Sequence, residues 1–250
     1  MRIAVISDTH GNLRALDAVL DDIASGSAFD EVIFAGDIAF GGPFPAECIQ
    51  RIRDRGWRAV RGNTDEIVIA AAIDGWQSDE QAADSSLRPT AVQQAVGRWD
   101  AERLSPDQVA YLLSLPRQVT VPHAQAGALT VVHATPWSVY ATIPPDAPDS
   151  LARRVLDEAG TTAVAYGHIH VQYARRIEGR LLTAVGSVGM PFDGDQRAAY
   201  AVLTADEGGW SVAFRRVAYD VDAAIADTLR SGVPNADGYA DTLRRAAPAG

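Results

Sequence analysis

The chain has 250 residues, one cysteine and a formal net charge of −10. A lone cysteine, Cys48, excludes an intrachain disulfide, and the acidic balance makes duplex nucleic acid a poor partner. No run of about 18 apolar residues is present to cross a membrane, and the first apolar stretch is too short for a signal sequence, so a cytoplasmic protein is expected.

In chain order, the β-branched run Arg2 to Ser7 predicts a buried strand, followed by a helix over about Asn12 to Ile23. Its apolar positions Leu13, Leu16, Val19, Leu20 and Ile23 recur at helical spacing. Glu31 to Ala35 predicts a second strand. Gly41-Gly42-Pro43 breaks the chain before a helix through Cys48, Ile49 and Ile52, and Trp57 to Val60 predicts a third strand. This βαβαβ opening implies a parallel sheet with right-handed crossovers.

From about 66 to 115 the chain is rich in Ala, Gln and Asp with no clear strand, and predicts an insertion of two or three helices. Ser105-Pro106 marks one helix start, with Ser at the cap and Pro at the first position. Strands resume over Arg117 to Val121 and Ala128 to His133, paired as a hairpin. A helix over Asp149 to Ala159 and a strand over Ala163 to Tyr166 follow. Two more hairpins are expected around Glu178-Gly179 and Glu207-Gly208-Gly209. A helix over Val221 to Arg230 and a Pro/Gly/Ala-rich tail with a mobile end close the chain. With no internal repeat and no long linker, residues 1–250 are expected to form one domain carrying the helical insertion.

Five blocks stand out: Asp8-Thr9-His10, Gly36-Asp37, Gly62-Asn63, His133 and Gly167-His168-Ile169-His170. They contain four of the five histidines, and each follows an apolar strand. In α/β sheets, ligands bind beyond the carboxyl ends of the strands, so the blocks are expected to converge. Asp8 and His10, like His168 and His170, are two residues apart. On extended backbone such a pair faces one way and offers two donors to one site. Gly36, Gly62 and Gly167 permit unusual dihedrals and close backbone approach. An imidazole and carboxylate mixture suits Mn, Fe, Zn or Ni better than Ca.

In order and spacing, these blocks resemble the calcineurin-like metallophosphoesterase superfamily along about the first 190 residues. The glycine-rich segment Gly186 to Asp195 resembles the loop after the last metal histidines in its small prokaryotic phosphodiesterase branch. The resemblance implies an α/β fold, a four-layer αββα sandwich, holding two divalent metal ions. Asp8, His10, Asp37 and His170 would hold one metal. Asp37, Asn63, His133 and His168 would hold the other, with Asp37 bridging. Asp37, Asn63 and His133 would thereby be catalytic. Two divalent cations bring +4 against −2 from the two aspartates, so the centre stays cationic and suits a phosphate anion. Such a pair, ~3.5–4 Å apart, can hold a bridging hydroxide for in-line attack on a phosphate ester. The expected function is metal-dependent phosphoester hydrolysis, of a diester, on a small substrate.

Two positions depart from the commonest pattern of the superfamily. Many members carry His after the Gly-Asn, where this chain has Thr64, which is no general acid near neutral pH. The usual His-Gly is His133-Ala134. Four residues are substrate-contact candidates with plain structural alternatives. Asn12 either orients a phosphate or caps the first helix. Arg61 either contacts phosphate or forms a salt bridge. Trp137 and Tyr140, in a Pro-bounded loop after His133, either line the cleft or pack the loop. Two competing functions are a metal-binding scaffold without catalysis, set against by the complete ligand set, and a nuclease, set against by the absence of a basic, aromatic-rich segment.

Overall fold

The computed structural model describes residues 1–248. Strand β1 (Arg2–Ile6) sends Ile3 and Val5 into one core and Ala4 and Ile6 into another, so its continuous β-branched run marks a strand covered on both faces. Helix α1 (Leu13–Ser25), β2 (Glu31–Phe34), α2 (Pro45–Asp54) and β3 (Arg58–Ala59) follow. β1, β2 and β3 pair in parallel, as the βαβαβ pattern requires.

The next stretch holds α3 (Asn63–Ala72), α4 (Asp79–Ala83), a 3-10 turn (Ser85–Leu87), α5 (Ala91–Ala101) and α6 (Pro106–Ser114). That is four α-helices rather than two or three. The first begins on Asn63 itself, before the expected start near residue 66. The sequence hid α4 because it is only one turn long, held by Ser78 and Gln81 bonding to each other's backbone N–H. Helices α5 and α6 both pack against α3.

Strands β4 (Gln118–Val121) and β5 (Leu129–Val132) form the expected antiparallel hairpin. Helix α7 (Asp149–Ala159), β6 (Ala163–Tyr166), β7 (Gln172–Ile177), β8 (Arg180–Val185), β9 (Ala198–Asp206) and β10 (Gly209–Val217) come next. The strand order is β10-β9-β1-β2-β3 in one sheet and β4-β5-β6-β8-β7 in the other. The inner faces meet in a core of Ile3, Val5, Ile33, Val131, Ala165 and Leu203, sealed by Trp210. Helices α1 and α2 cover the first sheet's outer face, and α7 covers that of the second. These are the four layers of an αββα sandwich.

Beyond α8 (Val221–Ser231) the chain forms a further helix, α9 (Ala236–Arg245), where a Pro/Gly/Ala-rich tail was expected. Two small residues and a glycine diluted its sequence signal, yet Tyr239, Ala240 and Leu243 are buried against Ala224 and Ile225 of α8. Only residues 249 and 250 of the expected tail lie outside the described residues.

Candidate metal centre

All five blocks lie just past the carboxyl ends of strands, and the sandwich brings them to one edge. The loop after β1 is stitched to the loop after β2: Asp8 N–H donates to Gly36 O, Thr9 and His10 N–H to Asp37 O, and Gly11 N–H to Ile38 O. The paired residues do not face one way through extended backbone. Asp8, His10, Asp37, His168 and His170 all have positive φ, between 49° and 64°. Non-glycine residues are uncommon there, although Asp and His tolerate it better than most, and such backbone is held only where its surroundings over-determine it. The convergence comes from these left-handed turns.

Two glycines are required by close approach. A Cβ on Gly62 would lie 2.0 Å from Asp37 Oδ1, and one on Gly167 would lie 2.0 Å from Ser7 Oγ and 2.3 Å from Asp8 Oδ2. Each glycine thus lets one loop's backbone lean on a carboxylate of another.

The four imidazoles share one arrangement. In each, one ring nitrogen meets a backbone carbonyl: His10 Nδ1 with Phe40 O at 3.2 Å, His133 Nδ1 with Ala35 O at 2.8 Å, His168 Nε2 with Tyr140 O at 3.2 Å and His170 Nδ1 with Met190 O at 2.6 Å. A carbonyl only accepts, so each of these nitrogens carries the hydrogen. In the neutral ring the other nitrogen then offers a lone pair, and all four point inward. His10 Nε2 and His170 Nε2 are 3.1 Å apart. His168 Nδ1 stands 3.2 Å from His133 Nε2, and both are 2.9 Å from the Asn63 amide oxygen. Bare lone pairs at these separations repel unless a positive charge lies among them.

The carboxylates complete the same picture. Asp8 Oδ2 accepts the His168 N–H at 3.0 Å, while Asp8 Oδ1 is buried with no hydrogen-bond partner, 3.3 Å from His170 Nε2 and 3.8 Å from His10 Nε2. Asp37 Oδ1 accepts the Thr64 N–H at 3.0 Å. Asp37 Oδ2 lies 3.7 Å from His10 Nε2 and 3.5 Å from His133 Nε2, facing both halves of the cluster. One donor each from Asp8, His10 and His170 falls within 4.8 Å, and so does one each from Asp8, Asp37 and His133. An orphaned buried oxygen amid inward-facing imidazole nitrogens is the donor set expected of a cation site.

Protonation follows from burial and neighbours. Burial and the charge of nearby histidines hold His10 and His168 down to about 3, neutral at pH 7. Burial pushes Asp8 up, but His170, His133 and His10 outweigh it and hold the carboxyl well below the usual range. Burial raises Asp37, with Asp65 and Asp8 adding to the effect. Burial would lower His133, but Asp37 and Asp8 overcome it and raise it, so the cluster draws positive charge to that point.

Some supporting residues had no assigned role in the sequence. Asp65 is fully buried. Its Oδ2 accepts the Asp37 and Gly62 N–H groups and its Oδ1 the Ile38 N–H, tying the second and third blocks together. Its position, third in helix α3, was the available signal. Ser187 donates to Asp8 O and accepts from Met190 N–H, which gives this hydroxyl a structural place. Tyr239 of α9 donates to His10 O at 2.9 Å, a contact made across 229 residues with no local signature.

The four substrate-contact candidates are all engaged within the fold. Asn12 is buried and caps α1, its Oδ1 accepting from Ala15 N–H and its amide donating to Gly189 O. Arg61 reaches Leu113 O at 3.1 Å and lies 3.5 Å from Glu66. Trp137 stacks beneath the Arg154 guanidinium, 4.1 Å from its ring centre. Tyr140 donates its hydroxyl to Glu66 at 2.8 Å and accepts from Gln81 at 2.8 Å. Thr64 sits beside Asn63 with its hydroxyl buried and unpartnered. Ala134 is absent from the positive-φ residues, so the missing glycine after His133 leaves no strain.

Residues 1–208 match the calcineurin-like phosphoesterase superfamily domain. The chain belongs to that superfamily. It is 28% identical over 249 residues to the uncharacterized protein MJ0912 of Methanocaldococcus jannaschii, with 93% of each chain covered. Among solved structures it is similar to a metallophosphoesterase from Sphaerobacter thermophilus, at 27% identity and a TM-score of 0.76, covering 98% of this chain and 99% of that one. The hypothetical protein PH1004 from Pyrococcus horikoshii OT3 shares the fold, with a TM-score of 0.80 at 20% identity, covering 100% of this chain and 98% of that one. The two five-stranded sheets flanked by helices are those of the metallophosphoesterases. Among the described residues no helix is long and apolar enough to cross a membrane.

Proposed function

We propose that this superfamily member is a phosphodiesterase working with two divalent metal ions on a small phosphate ester. The observation carrying this is the inward convergence of the His10, His133 and His170 nitrogens on Asp8 Oδ1 and Asp37 Oδ2, with that of His168 beside Asn63 Oδ1, and every outer ring nitrogen donating to a backbone carbonyl. Asp8, His10 and His170 would hold one metal, and Asn63, His133 and His168 the other. Asp8 falls in both donor groups by distance. Asp37 would nonetheless be the shared ligand, because its Oδ2 lies 3.7 Å from His10 and 3.5 Å from His133, a histidine of each group, whereas the imidazoles that near Asp8 Oδ1 are His10 and His170 of one group.

When bound, the metal pair supplies Lewis acidity and a strong nucleophile from water near neutral pH. The chain's own residues fix the geometry. The carbonyls of Phe40, Ala35, Tyr140 and Met190 lock each imidazole in one tautomer, and Asp65 fixes the Asp37 loop. Thr64 supplies no proton, which favours esters with good leaving groups.

The test is Asp37→Asn assayed on a chromogenic diester with Mn²⁺ or Ni²⁺, alongside metal stoichiometry. Hydrolysis is expected to vanish, with both metals weakened. Two metals bound at wild-type affinity in the variant would remove Asp37 as bridge. No hydrolysis by the two-metal wild type, whatever the metal, would remove the enzyme assignment.

A further inference from the structure

The match to the superfamily domain ends at residue 208, and helices α8 and α9 lie beyond it. They pack on each other through Ala224, Ile225, Tyr239, Ala240 and Leu243. From there they reach three loops, each of which holds part of the His10 and His170 half of the candidate metal centre. In the loop after β1, Tyr239 donates its hydroxyl to His10 O at 2.9 Å, and the Asn12 amide donates at 3.3 Å to the hydroxyl of Tyr219, just ahead of α8. In the loop after β2, a Cβ on Gly41 would stand 3.4 Å from the Tyr239 ring. That ring therefore lies against the residue following Phe40, whose carbonyl takes the His10 Nδ1 hydrogen. In the loop after β8, Met190 packs against the α8–α9 core while its carbonyl takes the His170 Nδ1 hydrogen. The same loop is tied to the end of α9, where Gly194 N–H donates to Ala246 O and the Gln196 amide to Leu243 O and Arg244 O.

The other half is held from elsewhere. Ala35 O and Tyr140 O orient His133 and His168, and the Tyr140 side chain is fastened to Glu66 and Gln81 of the helical insertion. Among the described residues, no hydrogen bond joins α8 or α9 to Asn63, His133, Tyr140 or His168. The strain at His10 makes its support matter. Its φ is 49°, in the region where a non-glycine residue stays only while its surroundings over-determine it. Tyr239 grips both the His10 carbonyl and the loop that meets the His10 ring, so one side chain restrains the backbone and the imidazole together.

We infer that α8 and α9 are a clasp that positions His10 and His170 for their metal, with Tyr239 as its positioning residue. The two halves of the centre are then supported independently, one by the C-terminal helices and the other by the insertion. This rests on the two-metal reading of the centre.

The experiment titrates Zn²⁺ into the metal-free full chain, with calorimetry for the affinities and imidazole NMR signals to say which rings are engaged. Tyr239→Phe keeps the ring and removes one hydroxyl. In that variant Zn²⁺ is expected to bind about tenfold or more weakly at His10 and His170, the scale of a lost supporting contact, and as in the wild type at His133 and His168. Tyr140→Phe is expected to do the reverse. Trp210→Phe removes a hydrogen bond to Gly127 O, at the far end of β5 from His133, and serves as the stability control. It is expected to lower Tm and to move neither affinity. Equal weakening at both halves in Tyr239→Phe, or a loss no larger than that of Trp210→Phe, would overturn the inference and leave Tyr239 a packing residue. A wild type that takes up no Zn²⁺ at the four imidazoles would remove the two-metal reading and the inference with it, an outcome seen before any variant is made.

Discussion

Replacing Tyr140 by Phe tests whether the network behind the candidate metal centre does more than pack. The Tyr140 hydroxyl donates to Glu66, whose side chain is fully buried, and accepts from Gln81. Its backbone carbonyl accepts from His168 Nε2 and so sets which nitrogen of His168 faces inward. Phenylalanine keeps the ring and removes two hydrogen bonds, one of them to a buried carboxylate. A hydrogen bond to a charged group is worth about 1.5–3 kcal/mol and a neutral one about 0.5–1.5, so a loss of roughly 2–4.5 kcal/mol is expected. For a chain of 250 residues each kcal/mol moves Tm by about 2–4 °C. Loosening the carbonyl behind His168 should also weaken that metal, since loss of such supporting contacts typically costs about 10–100-fold in affinity. Denaturant unfolding of the metal-free chain and calorimetric metal titration read the two effects separately. On the proposed two-metal reading the decisive outcome is asymmetry: a metal at His133 and His168 would weaken, and one at His10 and His170 would not. Unchanged affinity at both sites, together with the stability loss, would show that Tyr140 only packs the loop.

Three further outcomes follow from the same geometry. Gly167→Ala places a methyl against Ser7 and Asp8 and should cost both stability and metal binding; unfolding and metal titration that match wild type would show that the loops yield freely. Thr64→His should raise turnover on esters with poor leaving groups and leave good ones unchanged; a flat response across a leaving-group series would show that protonation is not limiting. The His10 and His168 rings of the metal-free chain should stay neutral well into acid. They are held at about 3 in the folded chain against an ordinary 6.5, so between those values the unfolded chain takes up protons that the folded one refuses. Their contribution to stability is present above about pH 6.5 and is lost as pH falls toward 3, while Asp37, raised to about 7, and Asp100, raised to about 8, oppose it over the same window, so the readout is NMR titration of the rings themselves. A ring of His10 or His168 that takes up a proton near pH 6.5 in the folded chain would contradict this.

The individual strands and helices were legible because their signals are local, while the four-layer arrangement came from the family resemblance. The run at β1, the exact span of α7 and the turn at Glu178-Gly179 each rest on contiguous residues with an apolar period or a turn pair. The candidate ligands were legible because each block follows a strand and ends in a donor. What the sequence hid was made over long distances or by the backbone. Tyr239 of α9 reaches His10 O, and the carbonyls that orient the imidazoles belong to Phe40, Ala35, Tyr140 and Met190, where any side chain has a carbonyl. Asn12, Arg61 and Tyr140 stood out for proximity to the blocks in sequence, and in space each has taken a partner within the fold.

The left-handed backbone explains why so much support surrounds so few donors. Five candidate ligands sit at positive φ, a strain of about 1–3 kcal/mol each at the upper end and less for Asp and His, which tolerate it. Relaxing any one of them would swing its donor out of the cluster. The restraints that prevent this are specific: three backbone hydrogen bonds into the Asp37 loop from Thr9, His10 and Gly11, Asp65 bonded to three N–H groups, and Ser187 bonded to the Asp8 carbonyl. The donors are thus preorganised before any cation arrives, so little ordering entropy remains to oppose its binding. The same rigidity leaves lone pairs facing one another across 3.1 Å in the absence of positive charge. Cation binding relieves that repulsion in the folded chain alone, and it should therefore raise the unfolding temperature in proportion to the logarithm of free metal. A metal that bound without stabilising the fold would have to bind the unfolded chain equally well, which a site assembled from residues 8 to 170 does not allow.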